Sequence, residues 1–240
     1  MSAGTKLPGT PEPMHRWQGS GGIAIAGDAW GDPNGPLVVL QHGGGQTRHA
    51  WKGTGEALGE AGYYAVAFDA RGHGDSDWAP DGQYGQDVMV QDLQCVIAAL
   101  GQQRPVLVGA SMGGGTSLVA VGEGHVDASA LILVDVAPRI ETKGVDNIQA
   151  FMSQKPEGFN SLEEVAEAIA TYQPQRVRPK SLQGLAKKCV LAAMANTAGI
   201  GIRAIAPERA TWSAARSASK RVRERLPCRP YWCAGVCLMC

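Results

Sequence analysis

Short apolar runs recur along the first 140 residues and mark the core of the predicted fold. They are "GIAIAGDAW" (22–30), "LVVLQ" (37–41), "YYAVAFD" (63–69), "PVLVGA" (105–110) and "ALILVD" (130–135). The first alternates in polarity and ends in a "GDPNG" turn, which predicts a strand followed by a hairpin. The other four lack polar alternation, as parallel strands buried on both faces do.

Helical periodicity fills the intervals between these runs. Residues 52–62 and 87–100 carry apolar positions at helical spacing. Farther along, "SLEEVAEAIATY" (161–172) opens with Ser161 as N-cap and Glu164 three residues later, a capping box. A further helix is predicted over 144–152. Alternating strands and helices of this kind predict an α/β fold with a mostly parallel sheet and right-handed crossovers.

Composition fits a single globular unit of this class. The chain has 240 residues, of which 44% are hydrophobic and 18% charged. No apolar stretch reaches the roughly 18 residues of a membrane span, so no membrane partner is expected. Residues 1–21 lack the apolar segment of a signal peptide and are interpreted as a disordered leader. We therefore expect a cytoplasmic protein in which Cys95 is a reduced thiol.

The chemistry is concentrated at "GASMGG", residues 109–114. This stretch matches the G-x-S-x-G nucleophile elbow, and it follows an apolar strand and precedes a helix, as that motif requires. Gly109 and Gly113 would allow the close backbone approach of a sharp strand-to-helix turn. The alternative is a glycine-rich helix start with Ser111 as an ordinary N-cap.

Three further motifs occur in order on successive strands: "HGGGQTRHAW" (42–51), "DARGHGDSDW" (69–78) and "LILVDVAPR" (131–139). Together with the elbow they resemble the α/β-hydrolase fold family, over roughly residues 22–185. Within it, the chain is similar to the cofactor-free branch of haloperoxidase-, lactonase- and epoxide-hydrolase-like proteins. The resemblance implies a hydrolase core over 22–138 and a partial helical cap over 139–187.

The resemblance also implies the roles of the site residues. Ser111 would be the nucleophile, with the N–H groups of Gly44 and Met112 as the oxyanion hole and Gly109 and Gly113 as the elbow glycines. No metal and no cofactor is implied, and the substrate would be a small-molecule ester, lactone or C–C compound. Haloperoxidase-like activity is the close alternative. Epoxide hydrolases of this fold have an aspartate at the nucleophile position, which argues against that activity here.

Other polar residues near these motifs receive structural interpretations. His42 is either a base or, as the family resemblance implies and we favour, a residue that packs below its loop and bonds to backbone. His49 and His73 either line the pocket or, as we favour, are polar surface. Asp135 is either the triad acid or, as we favour, a brace for the loops that lead into the cap. Asp69 and Arg71 are interpreted as a loop-stabilising pair.

A recognisable catalytic base is missing from the sequence. In this fold the order along the chain is serine, acid, histidine, and the only histidine after Ser111 is His125. His125 lies in a loop before the next strand, which places it at the opposite edge of the sheet from Ser111. We therefore expect this chain to be inactive, or a non-catalytic truncated product.

The tail, residues 188–240, differs in character from the rest of the chain. Five of the six cysteines fall there, and residues 186–240 hold 10 Lys and Arg against 2 Asp and Glu, whereas residues 1–185 hold 12 against 20. Read one base out of frame, residues 227–240 permit "LPTLLVRGRLSDV" and residues 193–203 permit "DGKYRWHWDP". Both strings resemble family segments. We interpret the tail as out of frame from near residues 186–189, so that the last core strands, the triad acid and the histidine are lost.

Selected roles for the tail find less support. The spacings of Cys228, Cys233, Cys237 and Cys240 fit no common zinc module, and disulfides are not expected in a cytoplasmic chain. A basic helix over 210–226 would suit nucleic acid or a membrane surface, but we expect neither partner. The sequence leaves the oligomeric state open.

Overall fold

A computed structural model describes residues 5–7, 9–102, 104–136, 159–172, 174, 181–186, 190–193, 198–201, 231–233 and 236–239; residues 5–6 and the last four ranges are described as backbone. The strands are β1 (Thr5–Lys6), β2 (His15–Gln18), β3 (Ala24–Trp30), β4 (Leu37–Gln41), β5 (Tyr64–Phe68), β6 (Val106–Ala110), β7 (Ala130–Val134), β8 (Val190–Ala193), β9 (Ala198–Gly201), β10 (Tyr231–Cys233) and β11 (Val236–Met239). The helices are α1 (Lys52–Glu60), α2 (Gln86–Leu100), α3 (Met112–Gly122), α4 (Leu162–Tyr172) and α5 (Gln183–Ala186), with 3₁₀ turns at Ser20–Gly22 and Arg48–Trp51.

The main sheet has eight strands in the order β10-β11-β7-β6-β4-β5-β3-β2. Its centre, β7-β6-β4-β5, is parallel throughout, and the strands on both sides of it are antiparallel. The predicted α/β class with a mostly parallel sheet is therefore confirmed. Parallel strands that are covered on both faces need apolar residues at every position, and all five residues of β4 and of β5 are buried.

The hairpin predicted at "GDPNG" is wrong. β3 pairs with β2 and β5, whereas β4 lies on the far side of β5 and pairs with β5 and β6. Residues 31–36 are therefore a crossover turn between strands that are not neighbours. Glycine, proline and asparagine allow the chain to reverse in either arrangement, so the turn chemistry alone does not distinguish them.

The interpretation of residues 1–21 as a disordered leader is also corrected. His15–Gln18 forms the outer strand β2, with Trp17 opposite Ile25 of β3. The Trp17 ring lies against Gly27, where a side chain larger than hydrogen would collide with it. Thr5 and Lys6 pair with β8 in a separate three-stranded sheet. Four residues are too short for alternation to stand out from the surrounding polar sequence.

Two layers of side chains cover the parallel centre. One contains the buried faces of α2 and α3, with Leu93, Val96 and Leu118 packed against alternate residues of β4, β5, β6 and β7. The other is smaller and contains Val38, Leu40 and Ala67, with Trp30 and Trp51 at its margin. The sheet is thus held between helices on both faces, and its carboxyl edge is the end toward which the site motifs point.

Part of the predicted cap is described. α4 buries Val165 against Phe159, and Leu162 and Ile169 pack on the same cluster. The Ser161 hydroxyl accepts a hydrogen bond from Glu164 N–H at 3.2 Å, as the capping box predicts. The Glu164 carboxylate accepts a hydrogen bond from Asn160 N–H at 2.7 Å. The helix predicted over 144–152 lies outside the described residues.

Beyond β7, the described residues of the tail add antiparallel strands to the sheet. Residues 236–239 pair with 131–134 of β7, Val236 opposite Val134, and residues 231–233 pair with 236–239 in turn. In this part of the chain no further strand continues the parallel pattern of β5, β4, β6 and β7.

Candidate active site

Ser111 has a strained backbone between β6 and α3. Its φ is 45° and its ψ is −109°, a combination that residues other than glycine seldom adopt. Its N–H donates to Val134 O at 3.2 Å and its carbonyl accepts from Gly115 N–H at 2.9 Å. The first bond ties the turn to β7 and the second starts the helix. Such a conformation costs on the order of 1–3 kcal/mol, which the surrounding structure has to offset.

The Ser111 side chain does not cap α3. Among the described residues no hydrogen bond is formed between its hydroxyl and the first helical N–H groups, and the residue is only partly buried. The alternative of an ordinary N-cap is therefore wrong. The hydroxyl remains available at the carboxyl edge of the sheet, at the N-terminus of a helix whose dipole favours negative charge.

Glycines around Ser111 allow the backbones to approach closely. A methyl group at Gly113 would lie 2.6 Å from both Cβ and O of Gln41, and one at Gly109 would overlap the carbonyl of Gly113. Gly113 N–H donates to His42 O at 3.1 Å. Helix α3 is therefore seated directly on the end of β4, which brings the loop after β4 beside Ser111.

That loop, residues 43–46, is a tight turn. Gln46 N–H donates to Gly43 O at 3.1 Å, and Gly45, the third residue, has a φ of 69° that favours glycine. The Gln46 side chain also stabilises the turn, because its Oε1 accepts a hydrogen bond from Gly43 N–H at 3.2 Å. A methyl group on Gly43 would lie 3.4 Å from Ser111 Cβ. The turn therefore lies against the strained serine.

His42 bonds to backbone, as predicted. Its Nε2 accepts from Ala70 N–H at 3.0 Å, and its Nδ1 lies 2.8 Å from Gly43 O. An amide can only donate and a carbonyl can only accept, so the ring is neutral with its proton on Nδ1.

The expectation that His73 is polar surface is wrong. The residue is 4% exposed, its Nε2 accepts from Gly45 N–H at 3.3 Å and its Nδ1 lies 3.1 Å from Arg71 O. The same reasoning makes it neutral with the proton on Nδ1. Burial, with the neighbouring His42 ring, lowers the pKa of His73 to about 4. The two ring centroids are 5.1 Å apart.

A family profile decides the identity of the fold: residues 36–176 match the profile described as alpha/beta hydrolase fold. This chain belongs to the α/β-hydrolase fold family.

Curated relatives of this α/β-hydrolase are named for several hydrolytic reactions. An esterase of Mycobacterium tuberculosis is 36% identical over 115 residues, which are 48% of this chain and 37% of the relative. An sn-1-specific diacylglycerol lipase of Mus musculus is 31% identical over 159 residues, 66% of this chain and 49% of the relative. Epoxide hydrolase 3 of Xenopus tropicalis is 40% identical over 95 residues, 39% of this chain and 25% of the relative. The chain spans half or less of the length of these three relatives.

Solved structures share the fold. E-2-(acetamidomethylene)succinate hydrolase matches with a TM-score of 0.65 at 21% identity, over 87% of this chain and 72% of the other. A thioesterase domain from the curacin biosynthetic pathway matches with a TM-score of 0.65 at 21% identity, over 90% and 79% of the two chains.

An unpredicted charge cluster braces the hydrolase loops behind the site. Arg48 is fully buried, and its guanidinium contacts the carboxylates of Asp69 at 2.6 Å, Asp75 at 2.7 Å and Asp28 at 3.0 Å. Burial alone lowers the pKa of Arg48, but these carboxylates outweigh it and raise that pKa above its ordinary value. A loop arginine ordinarily suggests surface, so the signal would have been Asp28 inside an otherwise apolar strand.

The predicted pair of Asp69 and Arg71 does not form. Asp69 accepts from Arg48 instead, whereas Arg71 makes a two-pronged contact with Asp92 on α2, at 2.6 and 2.7 Å. Both pairs are buried. Arg71 is thereby tied to a helix rather than to its own loop, so the loop after β5 is fixed from two sides.

The other three histidines and Asp135 lie on different elements from Ser111. His125 is on the exposed loop after α3 beside Glu123, and His15 stacks on Trp17 at the outer strand. His49 Nδ1 lies 3.9 Å from Asp28 Oδ2 in the cluster of Arg48. Asp135 follows β7, is exposed and has a φ of 54°; its role as acid or brace stays a prediction.

In the described residues, no group of three or more His, Cys, Asp or Glu side chains is arranged to hold a metal ion. Across the same residues, no helix has the length and apolar character needed to cross a membrane.

Proposed function

We propose that this chain has the acyl-transfer site of a serine hydrolase that acts on small-molecule esters. The observation that carries the proposal is the backbone of Ser111, strained at φ 45° with a hydroxyl that caps nothing in the described structure. Strain of this kind persists at sites where it positions a reacting group.

The oxyanion hole is proposed to consist of two backbone N–H groups, those of Gly44 and Met112. Among the described residues, neither group donates a hydrogen bond. Met112 begins α3, where the N–H has no partner within the helix, and Gly44 lies in the turn beside Ser111. A donor of this type lowers the barrier to acyl transfer by about 3 kcal/mol.

An ester is the favoured substrate class, ahead of lactones, C–C compounds and peracid chemistry. Two of the curated relatives are named as an esterase and a lipase. The serine at position 111 disfavours the chemistry of the relatives named as epoxide hydrolases, which the family resemblance associates with an aspartate nucleophile. Ser111 Oγ would attack the carbonyl carbon and give up its proton to water or to an added base, and the bond to the alkoxy oxygen would break as that oxygen takes up a proton and leaves as the alcohol. Water would then hydrolyse the acyl-serine ester, which releases the acid and restores the Ser111 hydroxyl.

The missing component is the base that accepts the Ser111 proton. All five histidines of the sequence are described, and each is engaged elsewhere: two with backbone, one beside Asp28, one beside Glu123 and one on Trp17. We propose that turnover is therefore slow. A site without its base keeps roughly 10³- to 10⁴-fold catalysis over water, through its oxyanion hole and substrate binding.

Hydrolysis of p-nitrophenyl butyrate, with and without added imidazole as an external base, tests the proposal. The wild-type rate should exceed that of Ser111→Ala, the difference should grow with imidazole concentration, and mass spectrometry should find the butyryl group on Ser111. Fast turnover without imidazole that is lost in Ser111→Ala would reveal a base elsewhere in the chain. Equal rates in both proteins would overturn the proposal and would favour the interpretation of this chain as a non-catalytic protein.

We also propose that residues 188–240 are read out of frame. The cysteine content and positive charge of this segment, and a family match that ends at residue 176, support the idea. DNA sequencing across codons 186–189 is the test. An intact reading frame there, in independent isolates, would exclude it.

A further inference from the structure

We propose that His42 and His73 are positioning residues that hold the peptide groups on either side of Gly44, so that its N–H keeps one orientation. The catalytic consequence rests on the proposed function, whereas the structural claim is independent of it.

The direction of the Gly44 N–H follows from the peptide that contains it. The C=O of Gly43 and the N–H of Gly44 belong to one planar trans peptide and point in opposite directions. His42 Nδ1–H donates to that carbonyl at 2.8 Å, and Gln46 N–H donates to it at 3.1 Å. Fixing the carbonyl toward the His42 ring therefore fixes the Gly44 N–H away from that ring.

The next peptide is held by the second ring. Gly45 N–H donates to His73 Nε2 at 3.3 Å, and His73 is anchored by its Nδ1–H to Arg71 O at 3.1 Å. Rotation of either peptide would break one of these bonds, even though two consecutive glycines place no steric barrier in its way. The histidines thus supply the rigidity that the glycines do not.

Both rings are in turn fixed to the loop after β5. His42 Nε2 accepts from Ala70 N–H at 3.0 Å, and His73 is 4% exposed between that loop and the turn. Each ring bridges an obligate donor and an obligate acceptor, so neither can flip or gain a second proton without losing a bond. The same geometry explains why neither ring is free to serve as the base.

Two variants separate the bonds of His73. His73→Asn keeps a donor near the position of Nδ1 but has no atom that reaches Gly45, whereas His73→Gln places an acceptor near the position of Nε2. His125→Asn makes the same change on an exposed loop, beside Glu123, and is the matched control.

The first readout is NMR and needs no activity. Long-range ¹H–¹⁵N spectra of the wild type should find the His42 and His73 protons on Nδ1. Exchange of Gly45 N–H with solvent should accelerate at least about tenfold in His73→Asn, at equal global stability, and stay near the wild-type rate in His73→Gln and His125→Asn. A proton on Nε2 of His73, or unchanged Gly45 exchange in His73→Asn, would overturn the proposal, and the first of these needs no variant to fold.

The second readout is the imidazole-dependent ester hydrolysis that depends on Ser111. His73→Asn should lower kcat about 10- to 100-fold with KM nearly unchanged, because a displaced oxyanion donor acts in the transition state, and His73→Gln should recover most of it. Loss of stability in His73→Asn with full kcat would reduce His73 to a structural role. If wild type and Ser111→Ala hydrolyse the ester equally, the proposed function fails, and the NMR measurements alone decide the orientation claim.

Discussion

Replacing His73 by glutamine should remove a strong source of acid sensitivity from this protein. The folded structure holds the pKa of His73 at about 4, against an ordinary value of 6.5, because the ring is buried. The His42 ring adds to this lowering of the pKa, whereas the backbone carbonyl of Arg71 and the Asp69 carboxylate oppose it. Between these two pH values the unfolded chain binds a proton that the folded chain does not. The stability that is linked to the neutral His73 ring is therefore fully present above about pH 6.5, and it decreases as the pH is lowered toward 4.

The size of the effect follows from the shift. A difference of about 2.5 pH units corresponds to roughly 3 kcal/mol, and about 2 kcal/mol of this falls between pH 7 and pH 4.5. Urea unfolding at these two pH values should show the wild type losing about that much more stability than His73→Gln, which cannot titrate. Other ionisable groups are common to both proteins and cancel in the comparison.

His125→Asn is the control for the loss of a histidine as such, because its ring is exposed. It should follow the wild-type pH dependence closely. If the wild type and His73→Gln lose equal stability between the two pH values, His73 is not held neutral by the fold, and the reasoning from burial fails.

Three other substitutions test the packing around the site by urea unfolding. Gly113→Ala should lower the free energy of unfolding by about 1–3 kcal/mol because its methyl group meets Gln41 at 2.6 Å, whereas Gly115→Ala, whose nearest neighbour would be 3.6 Å away, should be neutral or stabilising by up to about 1 kcal/mol. Equal effects would contradict the close approach of α3 to β4. Arg48→Met should lower the free energy of unfolding by about 3–5 kcal/mol because it leaves buried carboxylates without their cation. The exposed Lys52→Met is its control and should lower that free energy by less than about 0.5 kcal/mol. A small decrease for Arg48→Met would mean that the cluster is solvated. Ser117→Ala should lower the free energy of unfolding by about 1–3 kcal/mol because it removes the acceptor of Gln41 Nε2. In a double-mutant cycle, adding Gln41→Leu should recover part of that stability. Simple additivity of the two substitutions would show that the side chains are not coupled.

The sequence predicts the centre of the fold well because burial dictates its composition. β4 and β5 are buried at every position, and a run such as "LVVLQ" has few other stable placements. The path between β3 and β4 was missed, because a turn of glycine, proline and asparagine serves a hairpin and a crossover equally well. Strand order depends on contacts far apart along the chain, which local pattern does not report.

The strand-to-helix turn at Ser111 was predictable from the sequence, and the residues that support it were not. A strand, a G-x-S-x-G motif and a helix start define the position of Ser111 locally. Arg48 and His73 are polar loop residues by every local criterion, yet both are buried because their partners come from other loops. A useful clue would have been that His42 and His73 follow adjacent parallel strands, whose carboxyl ends meet at one edge of the sheet.

The antiparallel pairing of β11 with β7 limits where a further strand can add to this sheet. A strand has only two rows of main-chain donors and acceptors, and β7 gives one row to β6 and the other to β11. A further strand, from this polypeptide or from a neighbouring molecule, can pair with β7 only by displacing β11 or β6. Among the described strands, the remaining places for it are the outer edges of β10 and of β2, at the two rims of the sheet.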